Sequence, residues 1–437
     1  MSTVAIAGQE AMAPAPASRS FRNVWLIAAG HMMTHWYPST FYLLLPLIGS
    51  ELGLSFGQIG AILSCQSLAG ALSNVPGGMA VDAVARKGLL MGLALCWVGI
   101  PYLAMGFTHS YATLLGCAAL VGIGNNIWHP TAIPLLAQSY PARRGLVVSI
   151  HGMGGNLGDA LAPLVVGQML TVLTWRSVVA LNVIPGVIAA GLVMLWLGPL
   201  RGGDRGEHSD GARDEVQRGE AESGEAARGP RRNTTDPLAA LRLLLANRIV
   251  LMLSLGSAMR AMTASTLLTF LPVFLSGELG YSPPLVGGAM FTLQAAGFAA
   301  APVTGHLSDR MGRRRIIVTS MAVSALVLAF MAVAGRSPAF VFFVAFLGFF
   351  LFAVRAVLQA WLLDATPRHM GGTSIGIMFG SQALGAAIGP FTGGLLADHY
   401  GLMAVFYFLA VTIVIANMFI FFTPTAETGS RAQPATA

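Results

Sequence analysis

The sequence predicts an all-α membrane protein with twelve transmembrane helices in two six-helix bundles. Of its 437 residues, 55% are hydrophobic and only 10% are charged, and the mean hydropathy is +0.69. Because a soluble domain has roughly 25% charged residues, this composition excludes a water-soluble fold. Twelve apolar runs, and a repeat of the first half of the chain in the second, predict the number of helices and their division into bundles.

Each apolar run is long enough to cross a bilayer, which takes about 20 helical residues. The runs cover residues 24–48, 58–81, 88–107, 112–138, 145–172, 177–200, 249–275, 284–308, 316–335, 338–364, 372–397 and 402–423. Half of the 18 acidic residues lie between the sixth and seventh runs, in a segment too polar to fold. Leucines at helical spacing in 236–247 predict a short interfacial helix at its end.

These boundaries predict five parts of the chain. They are a cytoplasmic tail at 1–23, a first bundle at 24–200, a cytoplasmic linker at 201–247, a second bundle at 248–424 and a tail at 425–437. Residues 1–20 do not resemble a cleavable signal peptide, so the first run is predicted to be a permanent span.

The basic residues of the loops predict the orientation. With twelve spans, the basic loop residues fall on one side, except Arg176 and Arg336. By the positive-inside rule, both termini and the linker are then cytoplasmic. The net charge of +7 is explained by this distribution and does not indicate nucleic-acid binding. We expect a multi-pass monomer in the cell (plasma or inner) membrane.

The second half of the chain repeats the first at an offset of 226 to 227 residues. Residues 45–55 match 271–282, Ser39-Thr40 matches Ser265-Thr266, 77–87 match 304–314, and 141–145 match 367–371. Both copies start on the same side of the membrane. The halves are therefore predicted to be parallel repeats about an axis along the membrane normal.

Polar residues inside three spans of the first half mark a candidate transport path. They form stripes at steps of three or four residues, namely His31, Thr34, His35 and Pro38, then Asn125, Asn126 and His129, then Ser149, Gly152, Asn156, Asp159 and Pro163. Facing such groups to lipid costs several kcal/mol each, so the stripes are expected to face one interior. For Ser149 and Gly152 the alternative is that small residues only permit close helix packing.

Two loops resemble the signature loop of the major facilitator superfamily. Residues 305–314 are close to that pattern, whereas 78–87 lack the arginine after the aspartate and the following glycine. The resemblance implies that these loops latch the cytoplasmic side, with gating residues Asp82, Arg86, Asp309, Arg310 and Arg313. For the first copy, the alternative is a purely orienting charge.

A pattern of glycines and proline that the superfamily's antiporters carry in the fifth span recurs here in the eleventh, and the fifth span has a weaker version with Gly158, Ala162-Pro163 and Gly167. In the eleventh span it comprises Gly376, Gly385, Gly389-Pro390 and Gly393-Gly394. Glycines at this spacing are interpreted as a smooth groove, and the proline bends the helix. The pattern favours export.

Residues 31–35, 122–130 and 145–163 are similar to the fosmidomycin-resistance branch of this superfamily, which exports a drug with a phosphonate group. The chain departs from that branch at Thr131 and His35, where the branch has acidic residues. Histidine exchanges protons near neutral pH, so His35 or His129 is the candidate for proton coupling. For each histidine the alternative is a neutral ring hydrogen-bonded inside the bundle.

A cavity with arginines and histidines is expected to attract an anion, because the guanidinium fork matches carboxylate or phosphonate oxygens. The alternative for Arg260 and Arg355 is an ion pair with Asp159 or Asp364. The predicted transport path comprises His31, His35, Trp36, Asn125, Asn126, Trp128, His129, Asn156, Asp159, Arg260, Arg355 and Gln359. The aromatic members are included because they adjoin the polar stripes.

Together these features predict a secondary transporter that exports a small organic anion or an amphiphilic drug, driven by the proton gradient. The alternative is an importer with the same fold that works by proton symport. An enzyme is not expected, because the sequence has no Walker or HExxH motif. The three cysteines match no metal or redox spacing, so neither a cofactor nor a metal site is predicted.

Overall fold

The computed structural model describes residues 21–199, 237–337, 339–367 and 370–424. Most of the predicted linker and both predicted tails lie outside these ranges. The helices are α1 (Arg22–Leu52), α2 (Phe56–Ala83), α3 (Lys87–Met105), α4 (Tyr111–Ser139), α5 (Arg144–Met169), α6 (Trp175–Leu197), α7 (Pro237–Ala246), α8 (Arg248–Gly277), α9 (Pro283–Met311), α10 (Arg313–Ala334), α11 (Ala339–Asp364), α12 (Gly371–Tyr400) and α13 (Met403–Phe421). A 3-10 turn, Pro141–Arg143, precedes α5. The all-α prediction is confirmed.

Among the described helices, eight are long and apolar enough to cross a membrane, namely α3, α6 and α8 to α13. The other long helices, α1, α2, α4 and α5, all belong to the first half. Three of them carry the polar stripes of the predicted transport path, which lower their hydropathy. The short helix α7 lies where the sequence predicts an interfacial helix.

Local signals in the sequence explain where several helices begin and end. Ser55 caps α2, because its hydroxyl accepts the N–H of Gln58 while the Gln58 side chain accepts the N–H of Ser55. Thr174 and Asn247 cap α6 and α8, because their side-chain oxygens accept backbone N–H groups of the first helical turn. Helix α1 ends at Gly53, whose φ of 61° lies in the left-handed region that favours glycine.

The helices of each half pack in the same pairs. In the first half, α1 contacts α5 and α6, α2 contacts α4, and α3 contacts α4 and α6. In the second half, α8 contacts α12 and α13, α9 contacts α11, and α10 contacts α11 and α13. This is the same order of partners, helix for helix, in two six-helix bundles.

The repeat extends to individual close contacts between backbones. A Cβ atom at Gly158 of α5 would lie 2.3 Å from the carbonyl oxygen of Met32 in α1. At the repeat offset, a Cβ atom at Gly385 of α12 would lie 2.1 Å from the carbonyl oxygen of Ala258 in α8. Only glycine permits such an approach. The internal repeat predicted from the sequence is therefore present in the packing of both bundles.

The bundles contact each other closely at one end of the molecule. A Cβ atom at Gly60 of α2 would lie 2.0 Å from the carbonyl oxygen of Pro390 in α12. A Cβ atom at Gly287 of α9 would lie 2.3 Å from the carbonyl oxygen of Pro163 in α5. These contacts involve the N-terminal parts of α2 and α9 and the C-terminal halves of α5 and α12. We call this the closed end.

Candidate functional site

A cavity of about 440 Å³ lies between the two bundles. On the first bundle it is lined by Thr34, His35, Pro38, Tyr42, Asn125, Asn126, His129, Asn156 and Asp159. On the second bundle it is lined by Leu268, Gln294, Gly297, Phe298, Ala301, Phe352, Ala353, Arg355 and Ala356. Its volume is typical of sites for small molecules, and its two walls belong to different bundles.

Most of the predicted transport path lines this cavity. The residues that reach its surface are His35, Asn125, Asn126, His129, Asn156, Asp159 and Arg355. They come from α1, α4, α5 and α11, and helical spacing explains why members of one stripe reach the same surface. The stripes of the first three of these helices therefore face one interior, as the sequence indicates.

A hydrogen-bonded carboxylate lies on the first-bundle wall. Nδ1 of His35 is 2.9 Å from Oδ2 of Asp159, and the hydroxyl of Ser39 donates to Oδ1 at 2.9 Å. The side chains of His35 and Asp159 are 26% and 27% exposed, so both remain accessible from the cavity. Gly155 and Gly158 let α5 approach α1 closely enough for this pair to form. The pair presents an imidazole and a carboxylate side by side to the cavity.

A histidine cluster (His31, His35, His129 and His151) extends behind this wall. His31 is only 4% exposed; its Nδ1 donates to the carbonyl oxygen of His151 at 2.6 Å, and its Nε2 is 3.0 Å from Nε2 of His129. The ring of His151 stacks on that of His31 with centroids 3.9 Å apart. Sequence reasoning missed His151, although it precedes Asp159 by eight residues and thus lies near the same face of α5.

Arg260 and Arg355 of the second bundle have no carboxylate partner among the described residues. Arg260 is 4% exposed, and its Nε has no hydrogen-bond partner within residues 21–199, 237–337, 339–367 and 370–424. Arg355 lies on the cavity wall, opposite its repeat counterpart His129. Asp159 pairs with His35, and Asp364 pairs with Arg313. The alternative that these carboxylates neutralise Arg260 and Arg355 is therefore wrong.

The structure corrects the interpretation of two aromatic residues. Trp36 points away from the cavity and donates from Nε1 to Oδ1 of Asn182 in α6 at 2.6 Å. Trp128 is 0% exposed and packs against Gly30 of α1. Each follows or precedes a stripe residue directly, and successive residues of a helix point about 100° apart. Adjacency in sequence therefore places them on other faces.

Three further members of the predicted path lie away from the cavity surface. His31 and Arg260 are buried behind the wall. Gln359 is half-buried one turn beyond Arg355 and does not line the cavity. Gln294, Phe298 and Phe352 line the cavity but were not predicted to do so, because no polar stripe marks the second-bundle wall.

The predicted gating residues lie at the loops between α2 and α3 and between α9 and α10. Nη1 of Arg313 is 3.6 Å from Oδ1 of Asp309, and its Nε binds Asp364 of α11. These contacts stay within the second bundle. Arg86 and Arg310 are exposed, whereas the side chain of Asp82 lies outside the described part of the structure.

Four glycines of the antiporter-like pattern are packing positions, whereas a Cβ atom at the fifth, Gly376, would meet no described atom within 4 Å. A Cβ atom at Gly389 would lie 2.8 Å from the carbonyl oxygen of Met262 in α8, and one at Gly394 would lie 2.3 Å from that of Phe56 in α2. The pattern therefore brings α12 close to a helix of each bundle. The surface that these glycines form is packed against neighbouring helices.

Comparisons with known proteins agree with this architecture. The family model of the Major Facilitator Superfamily matches residues 24–288 and 253–437. The fosmidomycin resistance protein of Escherichia coli (strain K12) is 26% identical over 412 residues, which cover 93% of each chain. The multidrug resistance protein MdtG of Salmonella typhi is 33% identical over 172 residues, covering 38% of this chain and 42% of that protein.

Solved structures share the fold. A bacterial homolog of the human lysosomal transporter Spinster, in an inward-facing and unoccupied conformation, has a TM-score of 0.77 at 17% identity and covers 95% of this chain and 98% of its own. The D-xylose-proton symporter has a TM-score of 0.72 at 15% identity, with coverages of 94% and 99%. With a family match over both bundles, the chain belongs to the Major Facilitator Superfamily, as a multi-pass inner-membrane transporter and not an enzyme.

Proposed function

We propose that this protein is a proton-coupled secondary transporter that exports a small organic anion or an amphiphilic drug. The observation that carries the proposal is the composition of the cavity, with the His35–Asp159 pair on one wall and Arg355 on the other. The walls belong to different bundles. When the bundles rock against each other, a solute held between them gains access to the opposite side of the membrane.

In this proposal all twelve long helices cross the membrane, and both termini are cytoplasmic. The first bundle covers 24–200, the second 248–424, and the linker 201–247 joins them on the cytoplasmic side. The side distribution of basic loop residues supports this orientation. The closed end then faces away from the cytoplasm, and the cavity receives its substrate from the cytoplasmic side. The protein works as a monomer.

The unpaired arginines favour an acidic substrate. A guanidinium without a carboxylate neighbour is electrostatically free to bind a carboxylate or phosphonate in a bidentate manner. Arg355 contacts the cavity directly, while Arg260 adds positive charge from behind the wall. Phe298 and Phe352 line the same wall and suit an apolar part of the substrate.

Export in exchange for protons requires that proton and substrate compete for the site. A proton and the substrate compete for the carboxylate of Asp159 if the substrate carries a hydrogen-bond donor or a positive group that binds this carboxylate. A proton on the His35–Asp159 pair then displaces this group. The proposed substrate is therefore acidic at the end that contacts Arg355 and donating at the end that contacts Asp159.

The symport alternative is favoured by the same carboxylate when the substrate is a simple anion. Ionised Asp159 repels an anion in its own cavity, and protonation removes this repulsion. Proton and anion would then bind together and move in the same direction. The charge pattern of the substrate thus decides between exchange and symport.

The experiment is transport by purified protein in proteoliposomes under an imposed pH gradient. Substrate candidates come from a susceptibility panel of phosphonates, carboxylates and amphiphilic drugs on cells with and without the gene. Export by exchange predicts accumulation in an acidic lumen, whereas symport predicts accumulation driven by external acid. Transport that is unaffected by the gradient in both directions contradicts proton coupling altogether.

A further inference from the structure

Three histidines from three helices converge behind the first-bundle wall. His31 belongs to α1, His129 to α4 and His151 to α5, and the ring nitrogens that could bind a metal all lie within 4.8 Å of one another. Imidazole is the commonest protein ligand of transition metals. His31 and His151 are 4% and 2% exposed, whereas His129 borders the cavity. The group is therefore buried but reachable.

The tautomer of His31 is fixed in the form that binds a metal. Its Nδ1 lies 2.6 Å from the carbonyl oxygen of His151, and a carbonyl can only accept, so Nδ1 carries the proton. The lone pair of neutral His31 is then on Nε2. A ring whose second nitrogen donates to a backbone carbonyl is the usual arrangement of a metal-bound histidine, because the hydrogen bond orients the ring.

The spacing of the two Nε2 atoms is close to that of ligands sharing one ion. Nε2 of His31 and Nε2 of His129 are 3.0 Å apart. Two nitrogens that each lie about 2.0–2.1 Å from a tetrahedral Zn²⁺ are roughly 3.3 Å apart. A cation between them would take the place of the proton that Nε2 of His129 donates to His31. His129 would then carry its proton on Nδ1, so its ring stays neutral and the lone pair of Nε2 binds the ion. The two rings therefore need to move apart by only about a few tenths of an ångström to share one ion.

His151 supplies the second, independent observation. Both of its ring nitrogens are buried, and neither has a hydrogen-bond partner in the part of the chain that the structure describes. Leaving a buried polar atom unpaired costs about 1–3 kcal/mol, so a partner is energetically favoured here. The ring is stacked on His31 at an interplanar angle of 13°. It must turn out of this stack to direct a nitrogen at an ion held by the other two rings.

We propose that His31, His129 and His151 form a binding site for a divalent first-row transition metal, with Zn²⁺ or Co²⁺ as the probe. Three protein ligands leave a fourth position, which faces the cavity beside His129 and admits water. The site uses neither His35 nor Asp159, although the ring of His31 lies 4.7 Å from that of His35. Absence of metal binding would therefore not contradict the proposed proton-coupled transport.

The test is Co²⁺ and Zn²⁺ binding to the purified full chain in detergent, after removal of any histidine tag. We expect a single Co²⁺ per chain with the intense visible absorption of tetrahedral coordination, and its displacement by Zn²⁺. His129→Gln and His151→Gln should each weaken binding at least tenfold. His306→Gln is the matched control, because His306 is an exposed histidine of α9, and it should bind as the wild type does.

Two results would overturn the site. One is a wild-type protein that binds no stoichiometric Co²⁺, and the other is unchanged binding in both glutamine variants. Gel filtration and thermal unfolding identify a variant that fails to fold. In that case, mass spectrometry of the wild type after histidine modification decides, since Zn²⁺ must protect His129 and leave His306 reactive.

Discussion

The carboxylate of Asp398 in the second bundle accepts the backbone N–H of Gly57 in the first bundle, at 2.8 Å. The same carboxylate accepts the N–H of Phe56 at 2.7 Å and the hydroxyl of Ser55 at 2.9 Å. Asp398 lies near the end of α12, and these donors form the first turn of α2. A helix of one bundle is therefore capped by an anion from the other, which joins the bundles at the closed end.

Breaking this cap should shift the conformational equilibrium. An anionic cap stabilises a helix start by roughly 1–2 kcal/mol, so Asp398→Ala is expected to favour opening of the closed end by about 5- to 30-fold. Spin labels on the turns after α1 and after α12 report this opening as a longer inter-label distance. Glu51→Gln is the control, because Glu51 lies at the same end but its polar partners Trp175 and Arg176 belong to its own bundle. An unchanged distance distribution in Asp398→Ala would show that the cap does not hold the bundles together.

Asp159→Asn should abolish transport driven by a pH gradient while the amount of folded protein stays the same. The amide keeps the size of the carboxylate but cannot take up a proton, so the His35–Asp159 pair no longer titrates as proposed. Ser39→Ala is the matched comparison, because it removes one hydrogen bond to the same carboxylate and leaves its charge. We expect less than a tenfold loss in Ser39→Ala. Gradient-driven transport at the wild-type rate in Asp159→Asn would remove Asp159 from proton coupling.

Arg355→Ala should weaken binding of an acidic substrate by roughly 10- to 150-fold, because a hydrogen bond to a charged group contributes about 1.5–3 kcal/mol. Arg355→Lys should restore part of the affinity, since it keeps the charge and loses the fork. Isothermal titration with a substrate from the susceptibility panel measures both. Arg336→Ala is the control, because Arg336 is 77% exposed and pairs with Glu278 away from the cavity. Equal affinity in Arg355→Ala and Arg336→Ala would contradict an anion site at Arg355.

The fold could be predicted from the sequence because its signals are local and repeated. The first and last predicted runs, 24–48 and 402–423, correspond to Arg22–Leu52 and Met403–Phe421. The length of each apolar run determines the length of its helix, and a proline or glycine within the membrane seldom ends the helix. The contact between Asp398 and Gly57 could not be predicted from the sequence, because 341 residues separate the two and neither belongs to a periodic pattern.

The site could be predicted only where polar groups recur on one helix face. His35, Asn125, His129 and Asp159 were found in this way. Trp36 and Trp128 were wrongly assigned to the cavity, because residues adjacent in sequence point about 100° apart on a helix and so lie on different faces. His151 was missed because its partners are on α1 and α4, and a single helix does not reveal them.

The repeat preserves backbone packing and not the chemistry of the site. The counterpart of His31 is Ser257, and the counterpart of Gly155 is Gln382. In the second bundle Gln382 donates to the hydroxyl of Ser257 at 2.7 Å, where the first bundle places an imidazole over a glycine. Titratable groups therefore cluster on one wall of the cavity, while the other wall provides the permanent charge of Arg355.

Gly158→Ala should destabilise the first bundle. The added Cβ would lie 2.3 Å from the carbonyl oxygen of Met32 and 3.1 Å from Cβ of His35, so α5 has to move away from α1. Overpacking of this kind costs about 1–3 kcal/mol, which should appear as a lower midpoint of thermal unfolding in detergent. Gly152→Ala is the control on the same helix, because a Cβ there meets no atom within 4 Å. If both variants unfold at the same temperature, close α1–α5 packing does not limit stability.

Glu51 is expected to make the stability of the first bundle depend on pH in the acidic range. Hydrogen bonds from the Trp175 indole and the Arg176 guanidinium lower the pKa of this carboxyl below its ordinary value of 4.5. A carboxyl with a lowered folded-state pKa stabilises the protein above the unfolded-state value, and this contribution is lost as the pH falls through the folded-state pKa. Because the side chain of Glu51 is 45% exposed, the effect is expected to be below about 1 kcal/mol. Thermal unfolding of the wild type and Glu51→Gln should therefore differ at neutral pH, and the two should converge as the pH falls below 4.5. A difference that stays constant over this acidic range would assign the stabilisation to packing of Trp175 instead of the charge.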